Sequence, residues 1–369
     1  SMTVRITKPE FNLREKISEL DKPVGLKGSE LMRSNTVQES RDLIGAGRKN
    51  MVINGSFLVD VRNEGGEISI NSNSKFSADR WTHNNDGFTY YKTQRKNDAD
   101  IATIGTEYYM RVTVTSPVTL GGSTSQVLEN NLEGYTVRHL NLGTLGAKQC
   151  TLSFWVRSSL TGFFGGALAN VNYDRCHPFS YTIDTANTWE YKTFTFGTYG
   201  FTTGRFNTTN GVGLRLKFSL GNGPGRQSSA DKWHHGVIFG PSGENNLVAT
   251  NGATLDIAQV QLEVGKNATE FEQRSYQEEL QLCRRYFFKP HMDNVHWPAY
   301  QYHRTHKMQV VQFPVQMRAV PTCTATWGNT ASAFNFYYLS KDHFKAYNGS
   351  AYDDSNSYYL NSFEAKAEL

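Results

Sequence analysis

The chain has 369 residues and a formal net charge of +4, enough length for two or three domains but too small a basic excess for a nucleic-acid surface. Its 32 glycines, 13% aromatic content and only 20% charged residues disfavour a helical bundle and favour twisted sheets joined by tight turns. No run approaches the roughly 18 apolar residues of a membrane span, so no membrane insertion is expected.

The start, SMTVRITKPEF, lacks the apolar core of a signal peptide, and Ser1 before Met2 reads as a scar of tag removal. Cys150, Cys176, Cys283 and Cys323 lie far apart, without the spacing of a disulfide framework or a zinc site. Folding in a reducing cytoplasm is expected, with the thiols acting as small hydrophobes. In chain order, Asn12 and Glu15 cap a short helix bearing Leu13, Ile17 and Leu20, which Pro23 ends. Thr36 and Glu39 start a second, which Gly45 stops. Two arrangements fit these helices: self-association about a shared axis, or packing on the domain that follows.

From Met51 the period shortens. MVINGSFLVDV, YYMRVTVT, YTVRHLNL, CTLSFWVRSS, TWEYKTFTF, VGLRLKFSL, VIFG and LDIAQVQLEV read as strands between turns rich in Gly, Asn, Ser and Thr. The pattern predicts a mainly β protein built on an antiparallel jelly-roll sandwich over 51–274. Ser275 and Glu278 then form a capping box, with Tyr276, Leu280, Cys283 and Phe287 at helical spacing and Pro290 as the stop, so 275–290 reads as a junction helix. Leu282 and Tyr286 widen its apolar pattern to two sides, as a helix packed between modules or against other copies of the chain requires, and it is expected to take no part in binding. Aromatic-rich strands over 291–369 predict a smaller C-terminal β domain, with 1–50 left as an N-terminal helical stem.

Alternation in CTLSFWVRSS puts Leu152, Phe154 and Val156 on one face and Ser153, Trp155 and Arg157 on the other. In VGLRLKFSL, Arg215 and Lys217 oppose the apolar set. If these second faces adjoin, they make an aromatic and cationic groove for an acidic saccharide; otherwise they are a solvated sheet face with one semi-buried Trp. Trp233, His234 and His235 follow the loop GNGPGRQSSADK and read either as a recognition patch through Trp233 and His235 or as strand packing. Trp81 reads as core. HMDNVHWPAYQYHRTH brings Trp297, Tyr300 and Tyr302 among four histidines, as a binding tip or a subunit interface would. There is no GxSxG, GxxxxGK[ST] or HExxH, and Asp60, Glu64, Asp98 and Asp100 are scattered, so no catalytic residue is assigned; pairing of two carboxylates in space stays open.

RKNMVINGSF, ADRW and LDIAQVQLEVGKNATEFEQRSYQEELQLCRRYF together resemble the carbohydrate-binding-module-like jelly roll of phage tail fibres and its boundary helix. FPVQMRAVPT and SFEAKAEL resemble the closing domain of such fibres, and NLREKISELDKPVGLKGSELMRS their stem. The resemblance implies a homotrimeric distal fibre fragment of the virion, attached to upstream fibre or tail proteins. It implies recognition of a bacterial surface polysaccharide or lipopolysaccharide without cleavage; the alternatives are a polysaccharide-cleaving fibre enzyme and a purely structural spacer. No cofactor is required by it, but Asn54 and Asp256 correspond to places where such modules hold a structural calcium ion.

Overall fold

The computed structural model describes residues 48–84, 90–197, 201–290, 300–302, 306–328, 335–348 and 359–369. Residues 1–49 form a unit of their own, and the two expected N-terminal helices lie outside the described residues. The second unit, 50–369, is mainly β. Its strands up to the junction are β1 (Ile68–Ile70), β2 (Lys75–Ala78), β3 (Trp81–Asn84), β4 (Tyr91–Lys96), β5 (Tyr109–Val114), β6 (Ser125–Glu133) and β7 (Cys150–Ser158). These are followed by β8 (Gly162–Ala169), β9 (Cys176–Ile183), β10 (Glu190–Phe196), β11 (Val212–Asn222), β12 (Gln227–Ser228), β13 (Gly240–Pro241) and β14 (Thr254–Val264).

Two antiparallel six-stranded sheets result, a first in the order β1-β4-β5-β14-β7-β10 and a second in the order β2-β3-β6-β11-β8-β9. Strand alternation dictates their contact. Leu152, Phe154 and Val156 of β7 and Leu214, Leu216 and Phe218 of β11 all point into one core and are at most 1% exposed. Rings knit it together: Phe218 lies 5.0 Å from Phe154 and 6.3 Å from Trp81, which in turn lies 4.9 Å from Phe57. In the second sheet β8 packs so closely on β11 that a Cβ at Gly166 would sit 2.0 Å from the Lys217 carbonyl, so only glycine fits there.

Three expected strands are not strands. In 51–61 the backbone is bound by side chains instead of a ladder: Asn50 Oδ1 accepts from Val52 N, Asn54 Oδ1 from Val59 N, and Glu279 from Asn54 N. Asn54 and Phe57 both take left-handed φ, which breaks any extended run. YTVRHLNL instead forms a helical turn, α1 (Gly134–Val137), and a 3-10 turn, because Gly134 N and Tyr135 N donate to the carbonyls of Gly211 and Thr209. VIFG contributes only Gly240 to β13, which pairs with β12 in a strap over 223–246. Conversely, β6 (SQVLENNLE) is buried along its whole length despite its polar sequence.

The junction helix α2 (Tyr276–Arg284) carries the expected capping box. It ends short of Pro290 because Phe287 and Phe288 form β15, pairing with Lys366 and Ala365 of β21 (Tyr359–Lys366). Leu280 and Cys283 pack on Val59, while Tyr286 Oη donates to Glu133 Oε2 at 2.6 Å and Arg285 grips the same carboxylate at 2.6 and 2.8 Å. Beyond it lie β16 (Tyr300–Tyr302), β17 (His306–Gln312), β18 (Thr322–Gly328), β19 (Asn335–Tyr337) and β20 (His343–Asn348). They form the small sheets β15-β21-β18 and β16-β17-β20-β19 around Phe313, Met317, Phe344 and Phe363. Arg62 and Arg80 from the sandwich both pair with Glu368, with their guanidinium groups stacked on Phe287 and Tyr286.

Because Phe218 is fully buried among Trp81, Phe154 and Phe179, Phe218→Ala is expected to lower stability by about 3–5 kcal/mol in urea unfolding.

Candidate functional site

The residues expected to share one groove lie on opposite sides of the molecule's sandwich. Trp155 and Arg157 are on β7 of the first sheet, Arg215 and Lys217 on β11 of the second. Since the apolar faces of both strands meet in the core, the remaining faces look away from each other. No common groove forms.

Lys217 is fully buried beneath the 223–246 strap. Its Nζ is bonded to Glu129 and lies 4.3 Å from the centre of the Phe239 ring. Arg215 donates to Asn131 Oδ1 at 3.0 Å and lies 3.5 Å from Glu129 Oε1. Burial alone would raise the Glu129 carboxyl, but the cations of Lys217 and Arg215 hold it below its ordinary range. The strap adds its own buried acid. Glu244 accepts from Ser219 Oγ and Asn222 Nδ2, and burial pushes it up to about 7. This face of the second sheet is closed, and Lys217 meets no ligand there. Within the strap Trp233 packs against His177 at 5.1 Å and Phe201 at 4.2 Å, as core-edge material. His235 is exposed, and His234 is engaged by Ser228 Oγ and Ser229 O.

The outer face of the first sheet is different. Asp256 of β14 takes both Nε and Nη2 of Arg111 from β5, at 2.7 and 2.8 Å, and Nε of Arg157 from β7 at 2.8 Å. Arg157 also lies 3.3 Å from Asp100 and 3.7 Å from Asp98, two of the acids that look scattered in sequence. Its guanidinium covers Trp189 at 4.6 Å, and Trp189 meets Tyr109 edge-on at 5.4 Å. Arg157 is therefore a buttress, 7% exposed, and its charge is matched three times over. Beside this buttress Trp155 is half-buried with its ring 5.4 Å from Tyr191 of β10, which is 44% exposed. Thr193, also exposed, follows on the same face opposite Ser153. The result is a two-ring platform with hydroxyls at its side, on the edge strand of the sheet.

Trp189, Tyr191 and Arg111 are additions to the residues expected from sequence. The signal was present: in TWEYKTFTF the alternation that buries Phe196 and half-buries Phe194 turns Tyr191 and Thr193 outward. Asn54 and Asp256 do not share a calcium site. Asn54 spends its amide on the Val59 and Asp79 carbonyls and on Val59 N, and two guanidinium groups beside Asp256 oppose a further cation. Among the described residues no group of three or more His, Cys, Asp or Glu side chains is arranged to hold a metal. Trp297 lies outside the described residues, and Tyr300 and Tyr302 stand in β16 opposite Met308 and His306. Cys150, Cys176 and Cys283 are buried, Cys323 is half-buried, and all four are free thiols.

No family model matches this chain, and no curated protein does. Among solved structures, the enzymatically active domain of tailspike protein 4 of bacteriophage CBA120 is 12% identical with a TM-score of 0.32, over 58% of this chain and 21% of that one, about a fifth of its length. A carbohydrate-binding module, TmCBM61, solved with β-1,4-galactotriose, is 11% identical with a TM-score of 0.29, over 59% of this chain and 100% of that one. The N-terminal cellulose-binding domain of Cellulomonas fimi β-1,4-glucanase C is 12% identical with a TM-score of 0.27, over 51% and 90%. At these scores the likenesses carry no weight in the functional argument.

Two outcomes test the electrostatics. Lys217→Ala takes from buried Glu129 its bonded cation, leaving Arg215 at 3.5 Å, and is expected to cost about 3–5 kcal/mol, whereas Lys217→Met together with Glu129→Leu is expected to cost far less in the same urea assay. Burial also pushes Asp79 up to about 7, against the opposing pull of Arg62. A carboxyl whose folded pKa is raised stabilises fully below its unfolded pKa of about 4 and loses that contribution as pH rises through 7. Stability is therefore expected to fall from pH 5 to pH 8, and Glu244→Gln and Asp79→Asn are each expected to flatten that slope.

Proposed function

We propose that this chain is the receptor-binding part of a phage tail fibre, carried on the virion as a homotrimer, and that it binds a bacterial surface glycan without cleaving it. The observation that supports this reading is the Trp155–Tyr191 platform. Two rings lie side by side on a rigid sheet, tilted by 51°, one exposed and one half-buried; strand alternation turns both away from the core, and the Asp256–Arg157 ion pair stands beside them. A pyranose offers an apolar C–H face to such rings and its hydroxyls to Thr193. Since Arg157, the cation beside the platform, is neutralised by carboxylates, the platform suits a neutral saccharide better than an acidic one. Three copies on one fibre raise avidity without new contacts. The resemblance of both ends of the chain to tail fibres supports the trimer and the virion setting.

A cleaving reading requires two carboxylates facing shared space, and Asp60 and Asp79 do line one cavity. Release of new reducing ends from host polysaccharide that vanishes in Asp79→Asn would replace binding by catalysis.

Retention of the protein on purified surface polysaccharide tests the platform. Tyr191→Ala and Trp155→Ala are each expected to weaken retention about tenfold or more while Tyr191→Phe keeps it, and unchanged retention in both alanine variants would remove the platform. Absence of any binding across strains would leave a spacer. Sedimentation at micromolar concentration is expected to give a trimer, and a monomer would overturn that part of the proposal.

A further inference from the structure

A cavity of about 760 Å³ opens where three parts of the 50–369 unit meet. The sandwich contributes Tyr108 and Glu107, α2 contributes Tyr276, Leu280 and Arg284, and β21 contributes Phe363. From the volume, the lining and the positions of the two tyrosines we infer that this junction is a second saccharide site, taking a neutral oligosaccharide of a few rings that touches both β parts at once. The inference rests on the glycan-binding reading for its ligand class alone; the platform and the cavity are separate surfaces.

The lining selects the chemistry. Cavities of this size hold compact organic ligands. Among the described residues the wall carries Glu64 and Glu107 with Arg95, Arg284 and Lys289, over a buried Asp60 and Asp79 that accept from the backbone of 61–65; this mixed set offers a polyanion little net attraction and is too polar for a lipid chain. A ligand with many hydroxyls, each able to donate to a carboxylate and accept from a guanidinium, matches such a wall without needing a charge of its own. The remaining lining is apolar: Leu58 and Val61 are half-buried beside Leu280, so one side of the ligand meets carbon. At the mouth, Tyr276 is 47% exposed on the first turn of α2 and Tyr108 is half-buried, with the Arg95 guanidinium 4.2 Å over its ring and its hydroxyl bonded to Glu107. These are the amphipathic rings a sugar uses, and Tyr276 presents nearly half of its surface to solvent at the mouth. Such a site would run against the expectation that the junction helix takes no part in binding.

The test uses the full chain and the oligosaccharide pool made by partial acid hydrolysis of surface polysaccharide from a strain the protein retains. Saturation-transfer NMR is read on wild type, on Trp155→Ala/Tyr191→Ala, and on Tyr276→Ala/Arg284→Ala. Tyr276 is exposed and Arg284 half-buried, so the last variant is expected to melt like wild type. Hydrogen exchange across 276–284, with and without the pool, reads the site in the unaltered protein.

Two results support the inference: protection of that helix in wild type, and a loss of about tenfold in affinity in the Tyr276/Arg284 variant with part of the binding surviving in the platform variant. If the platform variant loses all binding and the helix is never protected, the cavity proposal fails while the platform stands. If only the cavity variant loses binding, the cavity stands and the platform fails. If wild type binds nothing in the pool, both fail.

Discussion

A charge placed on a sheet and then covered has to bring its partner with it, and Lys217 is where this constraint is strictest. With no contact to water, its ammonium requires an ionised Glu129 within bonding distance, and Glu129 in turn requires Arg215 and Asn131 to satisfy its remaining lone pairs. The Phe239 ring over the ammonium brings the strap down onto the sheet, and Glu244 is buried with it. One face of the sandwich is thereby committed to structure, and any ligand surface has to be made elsewhere.

The opposite face follows the same rule with a different outcome. Arg157 is also covered and also matched, but its partners Asp256, Asp98 and Asp100 hold it under Trp189 at the margin of the sheet. The margin itself stays open, so Trp155 and Tyr191 are supported without being enclosed. The junction cavity arises from a third arrangement: a capped helix held to the sandwich by Leu280, Cys283 and Glu279 and to the last sheet through Phe287. Space remains between them because α2 packs on the loop 53–61 and not on a flat sheet.

Much of this was legible in the sequence. The apolar faces of β7 and β11, the extended runs of β5 and β14, the cap at Ser275 and the burial of Trp81 follow from period and local chemistry. Strand β6 was not, because Glu129, Asn130, Asn131 and Glu133 mimic a surface run, and their partners Lys217, Ile53, Arg215 and Arg285 are remote in the chain. For the same reason Lys217 resembled an exposed cation. Alternation says which side chains share a face but not which sheet the strand joins, so Trp155 and Lys217 could be placed together on paper though the core separates them. The segment 51–61 looked like a strand because its apolar residues are buried by a loop whose shape depends on Asn50, Asn54 and Glu279.

The Arg111–Asp256–Arg157 bridge bears on how the first sheet is assembled. Strand β14 lies between β5 and β7 but is made about 100 residues after β7, a wait of roughly 5–20 s at ordinary rates of synthesis. Until then both neighbours present open edges, and an incoming strand with apolar residues at every second position could pair one place out of step. A slip of one residue would turn Asp256 into the core and away from both arginines. The carboxylate thus acts as a key read simultaneously from two sides, and it rewards only the register that also buries Leu255 and Ile257.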